Sequence, residues 1–185
     1  SLFLVVLSGC AATPQLSIST LEREEKSFDR TFHVNAIEQR LLKRIKDRAE
    51  LQGRDLLEAA LIASGVNEEA KLEGYMKTLR RLEGQIRAEV EREATNQRQV
   101  AKTILTWLHE NVLQSYRSRQ SSVADTLQEG GYNCVSATTV FNGMLHRFGI
   151  QSKVVDSPTH VLSRAFVDGA WVEVETTNPR GFDPF

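Results

Sequence analysis

A cysteine, a histidine and a glutamate in the last third of the chain have the side chains that thiol-based acyl transfer requires. Cys134 follows Asn133, a residue type that caps helices well, so the sequence predicts Cys134 in the first turn of a helix. The partial positive charge of a helix amino terminus stabilises a thiolate over a thiol. Because the thiolate is the nucleophilic form of cysteine, residue type and position together indicate an activated nucleophile.

His160 and Glu175 are predicted to meet across a β-hairpin. Strands are predicted over residues 160–167 and 170–175, joined by the two-residue turn Asp168-Gly169. This register pairs Arg164 with Glu173 and puts His160 diagonally opposite Glu175 on the same sheet face, within side-chain reach. A carboxylate in that position holds an imidazole in the tautomer and orientation that a general base needs.

Each of these residues also has a structural interpretation. Cys134 fits an inert buried cysteine, and His160 fits a half-buried sheet histidine. His146 is expected to face solvent or the last carbonyls of its helix, and His109 has no metal-ligating neighbour at helical spacing. The residues alone leave the catalytic and structural interpretations open.

The elements that would position the three residues are a helix and a small sheet. The helix has a buried face of apolar residues and ends at Gly149, a good left-handed terminator; the face comprises Val140, Phe141, Met144, Leu145 and Phe148. A further strand is predicted over residues 152–155, with a turn at Ser157-Pro158 before His160.

Residues 21–120 are predicted to be a helical region, and residues 121–185 the catalytic core, with a carboxyl end that we expect to be truncated. Two apolar stripes at helical spacing support this division: Leu72, Tyr75, Met76, Leu79, Leu82, Ile86 and Val90, then Val100, Ile104, Leu105, Leu108 and Val112. Breaks are predicted at Gly53 and at Ser64-Gly65. The helical region is interpreted as scaffold, with a surface that could serve a protein partner.

Composition excludes several other classes of protein. The 185 residues carry 23 Lys+Arg against 24 Asp+Glu, a net charge of −1, so no strongly basic surface for nucleic acid is expected. Two cysteines permit neither a disulfide framework nor a four-cysteine metal site. No His/Cys/Asp/Glu cluster has ligand spacing, and the sequence therefore predicts neither a metal nor another cofactor.

The amino end resembles a bacterial lipoprotein signal. Residues 1–9 are an apolar run that fits part of a signal peptide, and the residues up to Cys10 resemble a lipobox, in which the signal is cut and the cysteine lipidated. Residues 10–20 would then be a lipidated tether. The expected location is the bacterial cell envelope, with the lipid anchor in the outer membrane and the protein facing the periplasm.

Four segments of the carboxyl third resemble the core of the transglutaminase-like superfamily, which has a papain-like fold. They are residues 131–134 (GYNC), 147–150 (RFGI), 158–161 (PTHV) and 168–177 (DGAWVEVETT). Two departures are a glutamate where the family usually has an aspartate, and the absence of an aromatic residue directly after His160.

The resemblance implies an α+β fold, in which a helical amino-terminal region precedes a cysteine-bearing helix packed on a small antiparallel sheet. It also implies a Cys134–His160–Glu175 catalytic triad for acyl transfer. The backbone N–H of Cys134 would supply half of an oxyanion hole, and Gln128, Tyr132 and Asn133 are the candidates for the second donor.

Three functions fit this resemblance. The first is a membrane-anchored cysteine peptidase or amidase acting on a protein or peptide. The second is a transglutaminase that joins glutamine to lysine, which differs in keeping water from the thioester. The third is a lipoprotein that uses the fold for binding or assembly, because a fold does not fix a function.

Overall fold

The computed structural model describes residues 34–47, 51 and 53–183, and the described residues from Asn35 onward belong to one compact unit. The helices in these ranges are α1 (Ala36–Ile45), α2 (Gly53–Ala63), α3 (Glu69–Glu93), α4 (Gln97–Asn111), α5 (Val123–Glu129) and α6 (Cys134–Arg147). The strands are β1 (Ser115–Tyr116), β2 (Gly131–Tyr132), β3 (Ser152–Ser157), β4 (His160–Val167) and β5 (Ala170–Val174). Strands β1 and β2 pair in parallel, and β3, β4 and β5 form an antiparallel sheet in that order.

The predicted signal peptide, the tether and the lipidation site Cys10 lie outside the described residues and stay predictions. Across the ranges 34–47, 51 and 53–183, no helix combines the length and the apolar character needed to cross a membrane.

Helix α3 confirms the predicted amphipathic stripe. Its buried residues are Leu72, Met76, Leu79, Leu82 and Ile86, which recur every three or four positions and so lie on one face. The predicted break at Ser64-Gly65 is present, with Gly65 at φ 90° just after α2. The break between α3 and α4 was not predicted; there the Asn96 side chain accepts a hydrogen bond from the Gln99 N–H at 2.9 Å.

Helix α6 lies in the core and begins at the predicted residue. Asn133 Oδ1 accepts hydrogen bonds from the N–H groups of Val135 (2.9 Å) and Ser136 (3.1 Å). Ser136 Oγ in turn accepts one from the Asn133 N–H at 3.1 Å, which completes a capping box. This cap makes Cys134 the first residue of the helix. The inner face of α6 is fully buried at Val140, Phe141, Met144 and Leu145.

The carboxyl end of α6 differs from the prediction at one residue. The His146 imidazole contacts two other elements of the fold, instead of facing solvent or the last carbonyls of its own helix. Its Nδ1 accepts a hydrogen bond from the Gly53 N–H at 3.1 Å, and its Nε2 lies 2.9 Å from Ser152 Oγ. The imidazole therefore joins α6 to the start of α2 and to β3, which are contacts between elements that helical periodicity does not predict.

The hairpin of β4 and β5 has the predicted register. Asp168 (φ 50°) and Gly169 (φ 83°) both adopt left-handed backbone, as the two-residue turn requires. Arg164 pairs with Glu173, as predicted. Strand β5 ends at Val174, one residue earlier than predicted, so Glu175 begins the following loop.

The architecture is α+β, with helices before a small antiparallel sheet, as predicted. The helices before residue 120 and the elements after it contribute to one hydrophobic core, which includes Leu57, Leu79 and Leu105 together with Phe141 and Val167. The division into a helical region and a catalytic core stays a prediction.

Candidate active site

Cys134 presents a thiol and a backbone N–H at the same helix end. Its side chain is partly buried, and it is the first residue of α6. The first amides of a helix have no intrahelical acceptor. Within the described ranges the Cys134 N–H makes no hydrogen bond. This end of α6 therefore has a partial positive charge and a donor that could bind an anionic oxygen.

His160 and Glu175 are in direct contact across the hairpin. His160 Nε2 lies 2.5 Å from Glu175 Oε2, and the two side chains are 35% and 27% exposed. Because Nε2 faces the carboxylate, Nδ1 is the ring nitrogen that remains to exchange a proton. Among the described residues Nδ1 has no hydrogen-bond partner. The predicted meeting of these two side chains is confirmed.

The Glu175 carboxylate is held by its own loop as well as by His160. Its Oε1 accepts hydrogen bonds from the N–H (3.1 Å) and the hydroxyl (2.6 Å) of Thr177. Burial, the largest influence, raises the pKa of the Glu175 carboxyl, but the hydrogen bonds from Thr177 and His160 outweigh it and leave the pKa lowered. Glu175 is therefore ionised near neutral pH and able to accept a hydrogen bond from the imidazole N–H.

Two buried contacts align α6 with the sheet. Thr138 Oγ1 lies 2.7 Å from Thr176 Oγ1, and one turn later Asn142 accepts a hydrogen bond from Ser163 on β4. Four residues of helix rise about 6 Å, which is close to the length of two strand residues, so both contacts can form along α6 at once. Cys134 is one turn before Thr138 on the same helix face. Cys134 therefore lies at the end of α6 that approaches the loop of Glu175.

The three candidates for the second oxyanion donor have different surroundings. Gln128 is exposed and accepts a hydrogen bond from the Tyr75 hydroxyl at 2.9 Å, which directs it towards α3. The Asn133 side chain caps α6, and its Nδ2 donates to the Ser118 carbonyl at 3.1 Å. Tyr132 is buried, and its hydroxyl lies 3.4 Å from the Thr177 carbonyl, beside the Glu175 loop.

His109 contacts both Thr176, which is next to Glu175, and Tyr132, which precedes the start of α6. The sequence did not mark His109 as part of the site. Its Nε2 lies 3.0 Å from the Thr176 carbonyl oxygen, and its ring meets the Tyr132 ring edge-on, with centroids 5.8 Å apart. Burial lowers the pKa of His109, with a smaller opposing effect from the hydrogen bond to Thr176. The one sequence feature that could have pointed to His109 is its position next to Leu108, a buried residue of α4.

Metal chemistry has no ligand cluster in the described part of the chain. Residues 34–47, 51 and 53–183 contain no group of three His, Cys, Asp or Glu side chains arranged to hold a metal ion.

A family model of the transglutaminase-like superfamily matches residues 84–181, just over half of the chain. The chain therefore belongs to this superfamily, and it has the type of fold that carries cysteine hydrolases and acyltransferases. The match begins at Gly84 within α3 and includes all three candidate residues. Searches of curated proteins and of solved structures returned no significant match.

Proposed function

We propose that this protein is a thiol acyl-transfer enzyme, specifically a cysteine peptidase or amidase that acts on a protein or peptide. Cys134 is the nucleophile, His160 the general base and Glu175 the group that orients the imidazole. The observation that carries the proposal is the 2.5 Å contact between His160 Nε2 and Glu175 Oε2. A structural core has no need of this combination of side chains.

The proposed reaction proceeds through a thioester. His160 Nδ1 takes the thiol proton, and the Cys134 sulfur attacks the substrate carbonyl. The carbon–nitrogen bond then breaks, and the imidazolium returns the proton to the leaving amine. Water, deprotonated by His160, attacks the thioester and releases the acid and the thiol. Throughout, Glu175 stabilises the imidazolium and keeps Nδ1 directed towards the sulfur.

An oxyanion hole would consist of the Cys134 N–H and the Tyr132 hydroxyl. The first donor has no acceptor among the described residues, and the second has only a long contact, 3.4 Å, with the Thr177 carbonyl. Both are therefore available to a developing negative charge. We expect Tyr132→Phe to slow acylation by about 100-fold or more, the usual loss when one such donor is removed.

The acylation step can be tested with p-nitrophenyl acetate on the full chain carrying Cys10→Ser, which leaves Cys134 as the single cysteine. The sulfur displaces p-nitrophenolate, and the expected result is a burst of about one equivalent with acetyl found on Cys134 by mass spectrometry. Cys134→Ala should abolish the burst while the melting temperature stays close to that of the parent. His160→Ala should slow the burst strongly.

The products also separate the alternative functions. With an added primary amine, acetate as the main product supports hydrolysis, whereas the acetylated amine as the main product would replace it with transamidation. Acetylation of Cys134 at the same rate in the parent and in His160→Ala would overturn the catalytic proposal in favour of a binding protein.

We further propose that the enzyme is held in the bacterial cell envelope by a lipid on Cys10. The support is the apolar run before this cysteine and the small, polar residues after it. Expressed behind a complete signal peptide, the protein should fractionate with membranes and carry a lipid on its amino-terminal peptide. Cys10→Ser should release it, and membrane association unchanged by that substitution would contradict the anchor.

A further inference from the structure

Thr176 connects three elements immediately beside the Glu175 carboxylate. Its side chain is fully buried, and its hydroxyl is hydrogen-bonded to Thr138 of α6. Its carbonyl oxygen is hydrogen-bonded to His109 of α4. Thr176 lies between Glu175 and Thr177, and the Thr177 N–H and hydroxyl both donate hydrogen bonds to the Glu175 carboxylate. The Thr176 carbonyl and the Thr177 N–H belong to one planar peptide group, so a rotation of that group would displace a hydrogen-bond donor to the Glu175 carboxylate.

We propose that His109 is a positioning residue: its Nε2–H holds the Thr176 carbonyl and so keeps the Glu175 carboxylate directed at His160. This inference rests on the proposed function, because it assigns His109 a role through the triad. His109 does not touch the reacting atoms and is not a catalytic residue in this account.

The chemistry of the contact requires a donor at Nε2. A carbonyl oxygen can only accept, so the proton of His109 must lie on Nε2. Burial lowers the pKa of this histidine, which favours the neutral ring with that proton in place near neutral pH. The edge-on contact with the Tyr132 ring limits how the imidazole can tilt. The ring is thus oriented from one side by Tyr132 and bound on the other to Thr176.

Two substitutions separate the hydrogen bond from the packing. His109→Phe keeps an aromatic ring against Tyr132 but has no N–H, whereas His109→Gln can still donate from its own Nε2. Each is made in the full chain with Cys10→Ser, with and without Glu175→Gln, and the melting temperature of every variant is measured. His109→Leu replaces the phenylalanine variant if that variant does not fold.

The measured quantity is the rate constant for alkylation of Cys134 by iodoacetamide near neutral pH. We expect His109→Phe to lower it about three- to tenfold, the effect of losing one hydrogen bond. His109→Gln should stay within about twofold of the parent. In the Glu175→Gln background, His109→Phe should change the rate by less than about twofold, because the group through which it acts is already removed.

Equal losses from His109→Phe in both backgrounds would overturn the positioning role, and so would a parent-like rate in that variant. Failure of the proposed function is recognised separately. If the proposed function is wrong, His160→Ala will leave the alkylation rate of Cys134 unchanged, and the positioning role of His109 will then be wrong as well.

Discussion

Gly181 closes the loop that carries Glu175, and a side chain there should disturb the candidate active site. The Glu175 N–H donates to the Gly181 carbonyl at 2.8 Å, and the Gly181 N–H donates to the Asn178 carbonyl at 2.9 Å. A Cβ at position 181 would lie 2.0 Å from the Glu175 carbonyl oxygen, about 1.4 Å inside the 3.4 Å where ordinary contact begins. Because the obstacle is backbone, a side-chain rotation cannot relieve it, and the loop must move.

We therefore expect Gly181→Ala to lower the free energy of unfolding by about 1–3 kcal/mol, the usual cost of overpacking. A displacement of about 1 Å near a reacting centre can cost on the order of 100-fold in rate. Since Glu175 acts through His160, we expect a loss of about tenfold or more in Cys134 acylation by p-nitrophenyl acetate.

Gly84→Ala is the matched control. Gly84 is an exposed residue of α3, and apart from its chain neighbours and its own helix backbone no atom of the described residues lies within 4 Å of its would-be Cβ. The same chemical change there should raise stability by about 0.5–1 kcal/mol, because alanine favours the helix. It should leave the acylation rate unchanged.

Urea denaturation gives the two stabilities, and stopped-flow absorbance of p-nitrophenolate gives the two rates. If Gly181→Ala matched the parent in both stability and rate, the loop would not hold Glu175 as described. A stability loss with an unchanged rate would equally contradict the role of Glu175.

Three other perturbations test the groups around the site. The pKa of Glu175 lies below its ordinary 4.5, so its ionised form contributes stability that is complete above that value and lost as the pH falls through the lowered pKa. The stability difference between the parent and Glu175→Gln, measured by urea denaturation, should therefore shrink in acid, and a difference that grows would refute it. Thr138→Val should cost about 1–3 kcal/mol by leaving the Thr176 hydroxyl buried and unpaired, and adding Thr176→Val should recover most of that loss; simple additivity in denaturation experiments would count against this contact. Gly143→Ala would put a Cβ 2.5 Å from the Leu57 side chain and should cost about 1–3 kcal/mol, an expectation that an unchanged melting temperature would disprove.

The contact between His160 and Glu175 was predictable because the turn that sets it is short. A two-residue turn leaves no freedom in the pairing of the strands, so Asp168-Gly169 fixes which residues lie opposite each other. The start of α6 was predictable for a similar reason, since Asn133 satisfies the first amides of the helix from its own side chain. Both signals lie within a few residues of the structure they determine.

The contacts of His109 and Thr138 could not be predicted in the same way. His109 is 67 residues from Thr176, and Thr138 is 38 residues from it. Such pairs depend on how α4 and α6 pack on the sheet, and periodicity identifies a buried face without naming what covers it. The parallel pairing of Ser115 with Gly131 is likewise non-local and too short to have a strand pattern.

The pH dependence of Cys134 alkylation by iodoacetamide, compared between the parent with Cys10→Ser and its His160→Ala variant, tests the central proposal most directly. We predict rapid labelling of the parent at pH values well below about 8.5, the pKa of a free thiol, and loss of that reactivity in the variant. Slow labelling that rises only near that value, and is the same in both proteins, would contradict an activated Cys134–His160 pair.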